Sequence, residues 1–160
     1  MSLPLALTQG TVIGGNYVIG TLINSGGFGA VYRAVDTSEG NRLCAIKETY
    51  DVTPAARRRA LMEASVLLTI RNSHLPEVYD AFEEGGRFYL VMQLIEGQDL
   101  LHLLKARVAE RNLGPLGEQR PQTTMRGPCD ELEVLSWLLP IIDVLQELHG
   151  RTPPVIHRDI

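Results

Sequence analysis

Glycines at 26, 27 and 29, set between two alternating runs, constrain this chain more than any other feature. Residues 17–23 (Tyr-Val-Ile-Gly-Thr-Leu-Ile) read as a strand, and residues 30–35 (Ala-Val-Tyr-Arg-Ala-Val) as a second. Asn24-Ser25-Gly26-Gly27-Phe28-Gly29 between them reads as a turn, so the pair is a hairpin with a glycine-rich tip. Asp36 to Asn41 is another turn, and 42–48 form a third strand. On it Leu43, Ala45 and Lys47 share one face, and Cys44, Ile46 and Glu48 the other. Then the period changes. Thr53-Pro54 joins a hydroxyl N-cap to a proline at the first helical position, and predicts a helix to about Arg71, ended by Asn72 and Ser73. Residues 77–82 and 87–93 read as two further strands joined through Glu84-Gly85-Gly86. Links of hairpin length make the sheet antiparallel.

After Gly97 the pattern turns helical. Asp99 to about Val108 reads as a short helix, and 112–129, with three Gly and three Pro, as part of a loop at about 109–129. Asp130 with Glu133 resembles a capping box for a helix over Glu131 to His149, with Leu132, Leu135, Leu139, Ile142 and Leu145 as its apolar stripe. Pro140 falls inside it, where proline kinks a helix or costs about 3 kcal/mol. Pro153 and Pro154 precede Val155-Ile156-His157-Arg158-Asp159-Ile160. The expected organisation is α+β: an N-terminal extension over 1–16, a five-stranded antiparallel sheet with one helix over 17–96, and helical structure over 97–160.

Length and composition bound the possibilities. At 160 residues and 44% hydrophobic, the chain suits one ordinary domain or a truncated piece of a larger one. Net charge of -4 argues against a general nucleic-acid binder, whose surface must be basic. Cys44 and Cys129 form neither a disulfide framework nor a CxxC site, and suit a reducing, cytoplasmic setting. No apolar run reaches membrane-spanning length, and with Arg33 as the first basic residue no signal or transit peptide is expected. The four histidines suggest no metal set.

Three constellations could carry chemistry. Glycines let backbone N–H groups approach phosphate oxygens, although a plain hairpin turn also explains them. A dinucleotide fingerprint needs a helix after the glycines, and a Walker loop needs Gly-Lys-Ser/Thr; here a strand follows and that tripeptide is missing. What remains is a glycine-tipped hairpin that could fold over a nucleotide. Second, Glu63 has Ala56, Ala60, Val66, Leu67 and Ile70 as its neighbours along the predicted helix, so a carboxylate projects from an apolar face. Buried there it needs a cation, unless the helix is rotated and the side chain reaches water. The obvious partner is Lys47, one of only two lysines beside 13 arginines. Third, His157-Arg158-Asp159 follows the apolar helix; an Asp on a rigid turn could orient a hydroxyl nucleophile, though a tripeptide alone is weak.

Together these motifs resemble a protein kinase domain, nearest to the bacterial serine/threonine type. The resemblance rests on Asn24-Ser25-Gly26-Gly27-Phe28-Gly29-Ala30-Val31, Cys44-Ala45-Ile46-Lys47, Glu63, Tyr89-Leu90-Val91-Met92 and His157-Arg158-Asp159, in this order over residues 17–160. It implies a kinase N-terminal lobe, a hinge, and the first helices of an incomplete helical lobe. It further implies that Gly26 to Gly29 cover the phosphates of ATP and that Ile23, Val31 and Ala45 sandwich the adenine, with Met92 behind them. The main chain of Gln93, Leu94 and Ile95 would bond the adenine edge. Lys47 would hold the α- and β-phosphates, oriented by Glu63; Asp159 would be the catalytic base, and Arg158 would face an activation-loop phosphate.

Two departures stand out. Asn24 replaces the first loop glycine, and asparagine tolerates positive φ better than most residues. The family's catalytic Asn, its Asp-Phe-Gly and hence the Mg²⁺ ligands, the activation loop and most of the helical lobe would lie past Ile160. The chain is therefore expected to be a fragment, inactive by itself and poorly soluble, of an enzyme acting on protein Ser or Thr hydroxyls. A pseudokinase or nucleotide-binding interaction module is the alternative, and a small-molecule kinase such as an aminoglycoside phosphotransferase a third reading, which the His-Arg-Asp order disfavours.

Overall fold

The computed structural model describes residues 6–50, 53–112, 129–152 and 154, without the side chains of Glu63 and residues 110–112. Two compact units divide the chain after Ile95.

The first unit is a six-stranded antiparallel sheet with one helix. Its strands are β1 (Val12–Ile13), β2 (Tyr17–Gly26), β3 (Gly29–Asp36), β4 (Arg42–Thr49), β5 (Val78–Glu84) and β6 (Arg87–Gln93), in the order β1-β2-β3-β4-β6-β5. The expected five strands are all present; the sixth, β1, is a two-residue edge strand from the segment read as an extension. Two residues are too few to show alternation, which is why the sequence pattern does not reveal it.

The two edges of the sheet approach each other. Gly14 N–H donates to Glu84 Oε2 (2.6 Å), Tyr17 Oη–H donates to Asp80 Oδ2 (2.9 Å), and the Tyr17 and Phe82 rings stack at 5.6 Å. Gly14 is required there: its φ is +56°, and a Cβ would lie 2.7 Å from the Phe82 ring. The curl encloses a first apolar cluster that includes Ile13, Ile19, Tyr32, Cys44, Ile46 and Val91. Burial pushes the Cys44 thiol up to about 11.

The opposite face carries α1 (Pro54–Thr69). Thr53 Oγ1 accepts from Ala56 N–H (3.3 Å), as the hydroxyl-proline start predicts. Ala60 and Ala64 are small enough to bring the helix close to Val78, Phe88 and Leu90, the second cluster. Arg57 pairs with Glu83 and ties the helix to β5. The helix stops two residues before Arg71: Ile70 is already extended.

The second unit holds α2 (Leu100–Asn112) and α3 (Glu131–His149). α2 runs past Val108 into the stretch read as loop; residues 113–128 of that loop lie outside the described residues. The capping box at α3 does not form. Asp130 makes no side-chain cap bond, and Glu133 instead accepts from Arg107 of α2 (2.6 Å). A charged guanidinium is a stronger donor than a peptide N–H and wins the carboxylate. α3 continues through Pro140, forgoing that residue's backbone bond. Of its predicted stripe, Leu132, Leu135, Leu139 and Ile142 are exposed and Leu145 half-buried, whereas Val144 and Leu148 are buried.

The β3–β4 turn is organised by a buried acid. Asp36 Oδ1 accepts from Asn16 Nδ2 (2.8 Å), Ser38 N (3.1 Å) and Ser38 Oγ (2.7 Å), and Oδ2 accepts from Arg42 (2.9 Å). Burial alone would raise its pKa, but the bonds from Ser38, Arg42 and Asn16 prevail and hold it below the usual 3.8. A carboxyl depressed in the folded state stabilises above its unfolded pKa and loses that contribution as pH falls through the folded value. Asp36→Asn should therefore lower the urea midpoint at about pH 7, and its deficit against wild type should narrow at about pH 3. A deficit of equal size at both pH values would show that the charge of Asp36 contributes nothing.

Candidate active site

The candidate site begins with β4, because its alternation decides what faces α1. Residues directly opposite across an antiparallel ladder share a face. Lys47 pairs with Val31 of β3 and Leu90 of β6, and Ala45 with Arg33 and Met92. Val31, Arg33, Ala45, Lys47, Leu90 and Met92 therefore lie on one face, the face that packs against α1, with Arg33 exposed on it. Lys47 is half-buried in the middle of this patch. Position 63 of α1 is three residues beyond Ala60 and four before Leu67, both packed against the sheet, as the sequence pattern requires. Whether the Glu63 carboxylate meets Lys47 lies outside the described residues, as do His157, Arg158 and Asp159.

The glycine-rich hairpin is tighter than the sequence suggests. β2 extends to Gly26 and β3 starts at Gly29, so Asn24, Ser25 and Gly26 pair with Val31, Ala30 and Gly29, and only Gly27 and Phe28 form the turn. Two register shifts, one between Ile19 and Leu22 and one between Leu22 and Asn24, bend β2 just before the tip. Ile23 falls in the second and is half exposed, and Phe28 is almost fully exposed. Asn24 is not in the positive-φ region, and neither are Gly26, Gly27 and Gly29. The tolerance of asparagine for positive φ is thus not needed, and an extended backbone accepts Asn24 as it would most residues.

Gly29 has a different reason to be glycine. A Cβ there would lie 2.1 Å from the carbonyl oxygen of Glu48 on β4. Gly26 and Gly27, by contrast, face open space. The third glycine seats the hairpin on the strand that carries Lys47, and Tyr50 N–H donating to Phe28 O (3.0 Å) extends that grip into the turn.

At the end of β6, Gln93 N–H donates to Glu77 O (2.7 Å), and Gln93 Oε1 accepts from Glu77 N–H (3.3 Å). Its N–H is therefore committed. Among the polar groups expected at the adenine edge, the Gln93 carbonyl and the main chain of Leu94 and Ile95 remain candidates, and Ile95 is exposed.

Sequence reading missed the residue beside Lys47. Glu48 is fully buried. Its Oε2 accepts from Tyr32 Oη–H (2.8 Å), and its Oε1 accepts from Arg87 Nη1–H and, at 3.3 Å, from Tyr89 Oη–H. Tyr32 Oη in turn accepts from Leu7 N–H (3.0 Å). Burial, reinforced by the Glu48 charge, pushes the Tyr89 hydroxyl up to about 12; the hydrogen bond to Glu48 raises the Arg87 guanidinium further. The signal was available, since a carboxylate on the face of Cys44 and Ile46 is as anomalous as one at position 63.

The Protein kinase domain family matches residues 17–160, and the chain belongs to that family. Among curated relatives, it is 34% identical over 115 residues to the serine/threonine-protein kinase PknE of Mycobacterium tuberculosis, covering 70% of this chain and 19% of that protein. It is 29% identical over 147 residues to mouse serine/threonine-protein kinase Nek5, covering 91% and 20%. Solved structures with the same fold include PpkA-294 in its apo form, at TM-score 0.71 and 23% identity over 97% of this chain and 55% of that one. The M. tuberculosis PknI kinase domain aligns at TM-score 0.72 and 20% identity, with 97% and 55% covered. The chain thus spans about a fifth of these curated relatives and just over half of these solved chains. The six-stranded unit with α1 is the kinase N-terminal lobe.

Gly29→Ala should push β3 away from β4 and destabilise the first unit by about 1–3 kcal/mol, as overpacked sites do. Gly27→Ala, with no atom within 4 Å of the added methyl, should cost well under that. Equal unfolding midpoints for the two variants would refute a packing role for Gly29.

Proposed function

We propose that this chain is the nucleotide-binding part of an ATP-dependent serine/threonine protein kinase. The observation that supports it most is the placement of Lys47: an ammonium-bearing strand residue amid Val31, Ala45, Leu90 and Met92, beside the strand pair that carries the glycine tip. Such a patch offers apolar surface for a base and, in the half-buried Lys47, a cation for a phosphate. Relatives named as serine/threonine-protein kinases supply the acceptor class.

In this reading Val31, Ala45 and Ile23 enclose the adenine with Met92 behind it, and the Gln93 carbonyl with the Leu94 and Ile95 main chain meets its polar edge. Asn24 to Ala30 lie along the triphosphate, and Lys47, oriented by Glu63, holds the α- and β-phosphates. Asp159 accepts the proton of a substrate Ser or Thr hydroxyl. That oxygen bonds to the γ-phosphorus in line as the bond to the β–γ bridging oxygen breaks, and ADP leaves with the electron pair. Mg²⁺, which the family implies, would supply neutralisation of the phosphate charge when bound. Among the described residues no group of three His, Cys, Asp or Glu side chains could hold a metal, and none is assigned to it. No helix among them is long and apolar enough to cross a membrane. A protein substrate and a cytoplasmic setting, where ATP is abundant, complete the proposal.

In a chain extended to the full length of the family domain, Lys47→Met and Asp159→Asn should each abolish phosphoryl transfer to a protein substrate while circular dichroism stays as in wild type. Transfer of radiolabelled phosphate at the wild-type rate by either variant would contradict the assigned roles.

A further inference from the structure

The Glu48 cluster does no work in the reading above, yet it is costly. A carboxylate among apolar side chains loses its hydration, and a hydrophobic residue of similar size would fill the same place at lower cost. The neighbours are Tyr32, Ile46, Tyr89 and Val91, all buried. Something other than bulk stability must account for the charge.

Its position supplies the reason. Glu48 and Lys47 are adjacent in β4 and so point to opposite faces. A slip of one residue between β4 and its neighbours would exchange the faces, carrying Lys47 into the first apolar cluster and Ile46 onto the candidate nucleotide face. The donors to Glu48 come from both flanking strands: Tyr32 from β3, Tyr89 and Arg87 from β6. A single carboxylate therefore fixes β4 against each strand beside it. Its own backbone carbonyl is packed under Gly29, so the same residue also sets the height of the glycine hairpin. Leu7 N–H on the Tyr32 hydroxyl joins the segment before β1 to the cluster.

We propose that Glu48 is the positioning residue for Lys47: clamped by Tyr32, Tyr89 and Arg87, it holds the lysine at the place where a nucleotide phosphate is gripped. This rests on the reading of Lys47 as the phosphate-binding cation. Glu48 itself touches no ligand; it acts through β4.

The test compares ATP with adenosine, which lacks the phosphates, by calorimetric titration of the full-length protein. Lys47→Met comes first. It should weaken ATP strongly and adenosine by less than about twofold. Wild-type ATP affinity in this variant would overturn the role of Lys47 and the present proposal with it. Glu48→Gln keeps the shape and removes the charge. It should weaken ATP roughly tenfold, the scale of one charge-assisted hydrogen bond, and leave adenosine within about twofold. Added to Lys47→Met it should cause no further loss, because it acts through that lysine. Equal weakening of ATP and adenosine, a full additive loss in the double variant, or wild-type ATP affinity in Glu48→Gln would each overturn the positioning role while leaving Lys47 in place. Tyr32→Phe removes one donor and no charge. It should give the same ATP-selective loss on a smaller scale, and it decides the matter if Glu48→Gln does not fold.

Discussion

Two oppositely charged side chains, one residue apart, must be kept on opposite faces of one strand. That requirement organises the first unit. Strand geometry sends Lys47 and Glu48 in opposite directions, and each direction ends in a different environment. Glu48 enters the enclosed cluster formed by the curl of the sheet, where only a full set of donors makes a carboxylate tolerable. Lys47 enters the face shared with α1, lined by Val31, Leu90 and Met92. Neither placement survives without the other, because both follow from a single register.

The rest of the unit holds that register. Asp36 pins the turn before β4 through Asn16, Ser38 and Arg42, and Gly29 lets β3 lie against the carbonyl of Glu48. At the far edge, Gly14, Tyr17 and Phe82 draw β1 and β2 toward β5 and close the cluster around the buried acid. Ala60 and Ala64 bring α1 against the face of the sheet that carries Leu90 and Lys47. The chain belongs to the protein kinase family, and the proposed reading gives this geometry a chemical sense: one ammonium held beneath a glycine hairpin where a nucleotide phosphate would lie.

Much of the fold was legible in the sequence because its signals are local. The alternation of 30–35 and 42–48, and Thr53-Pro54 before an apolar helical stripe, specify their elements without reference to anything distant. The features that were not legible depend on partners far along the chain. Glu48 needs Arg87, 39 residues away, before its burial makes sense. Glu133 looks like half of a capping box until Arg107 is seen beside it. β1 is too short to carry a pattern, and Gly29 is glycine because of a carbonyl on another strand rather than because of its own backbone angles. Within the candidate site, strand parity alone put Ala45 and Lys47 on one face, Val31 and Met92 were named only through the family resemblance, and the donors to Glu48 beside Lys47 were not legible.

In the proposed reading Lys47, and not Lys105, meets a nucleotide's phosphates. With lysine isotopically labelled at Cε in the full-length protein, the NMR signal of Lys47 is identified by its loss in Lys47→Arg and that of Lys105 by its loss in Lys105→Arg. Titration with ATP should move the Lys47 signal and leave that of Lys105 unmoved, and adenosine should move neither by a comparable amount. A Lys47 signal that stays in place at saturating ATP would contradict the account.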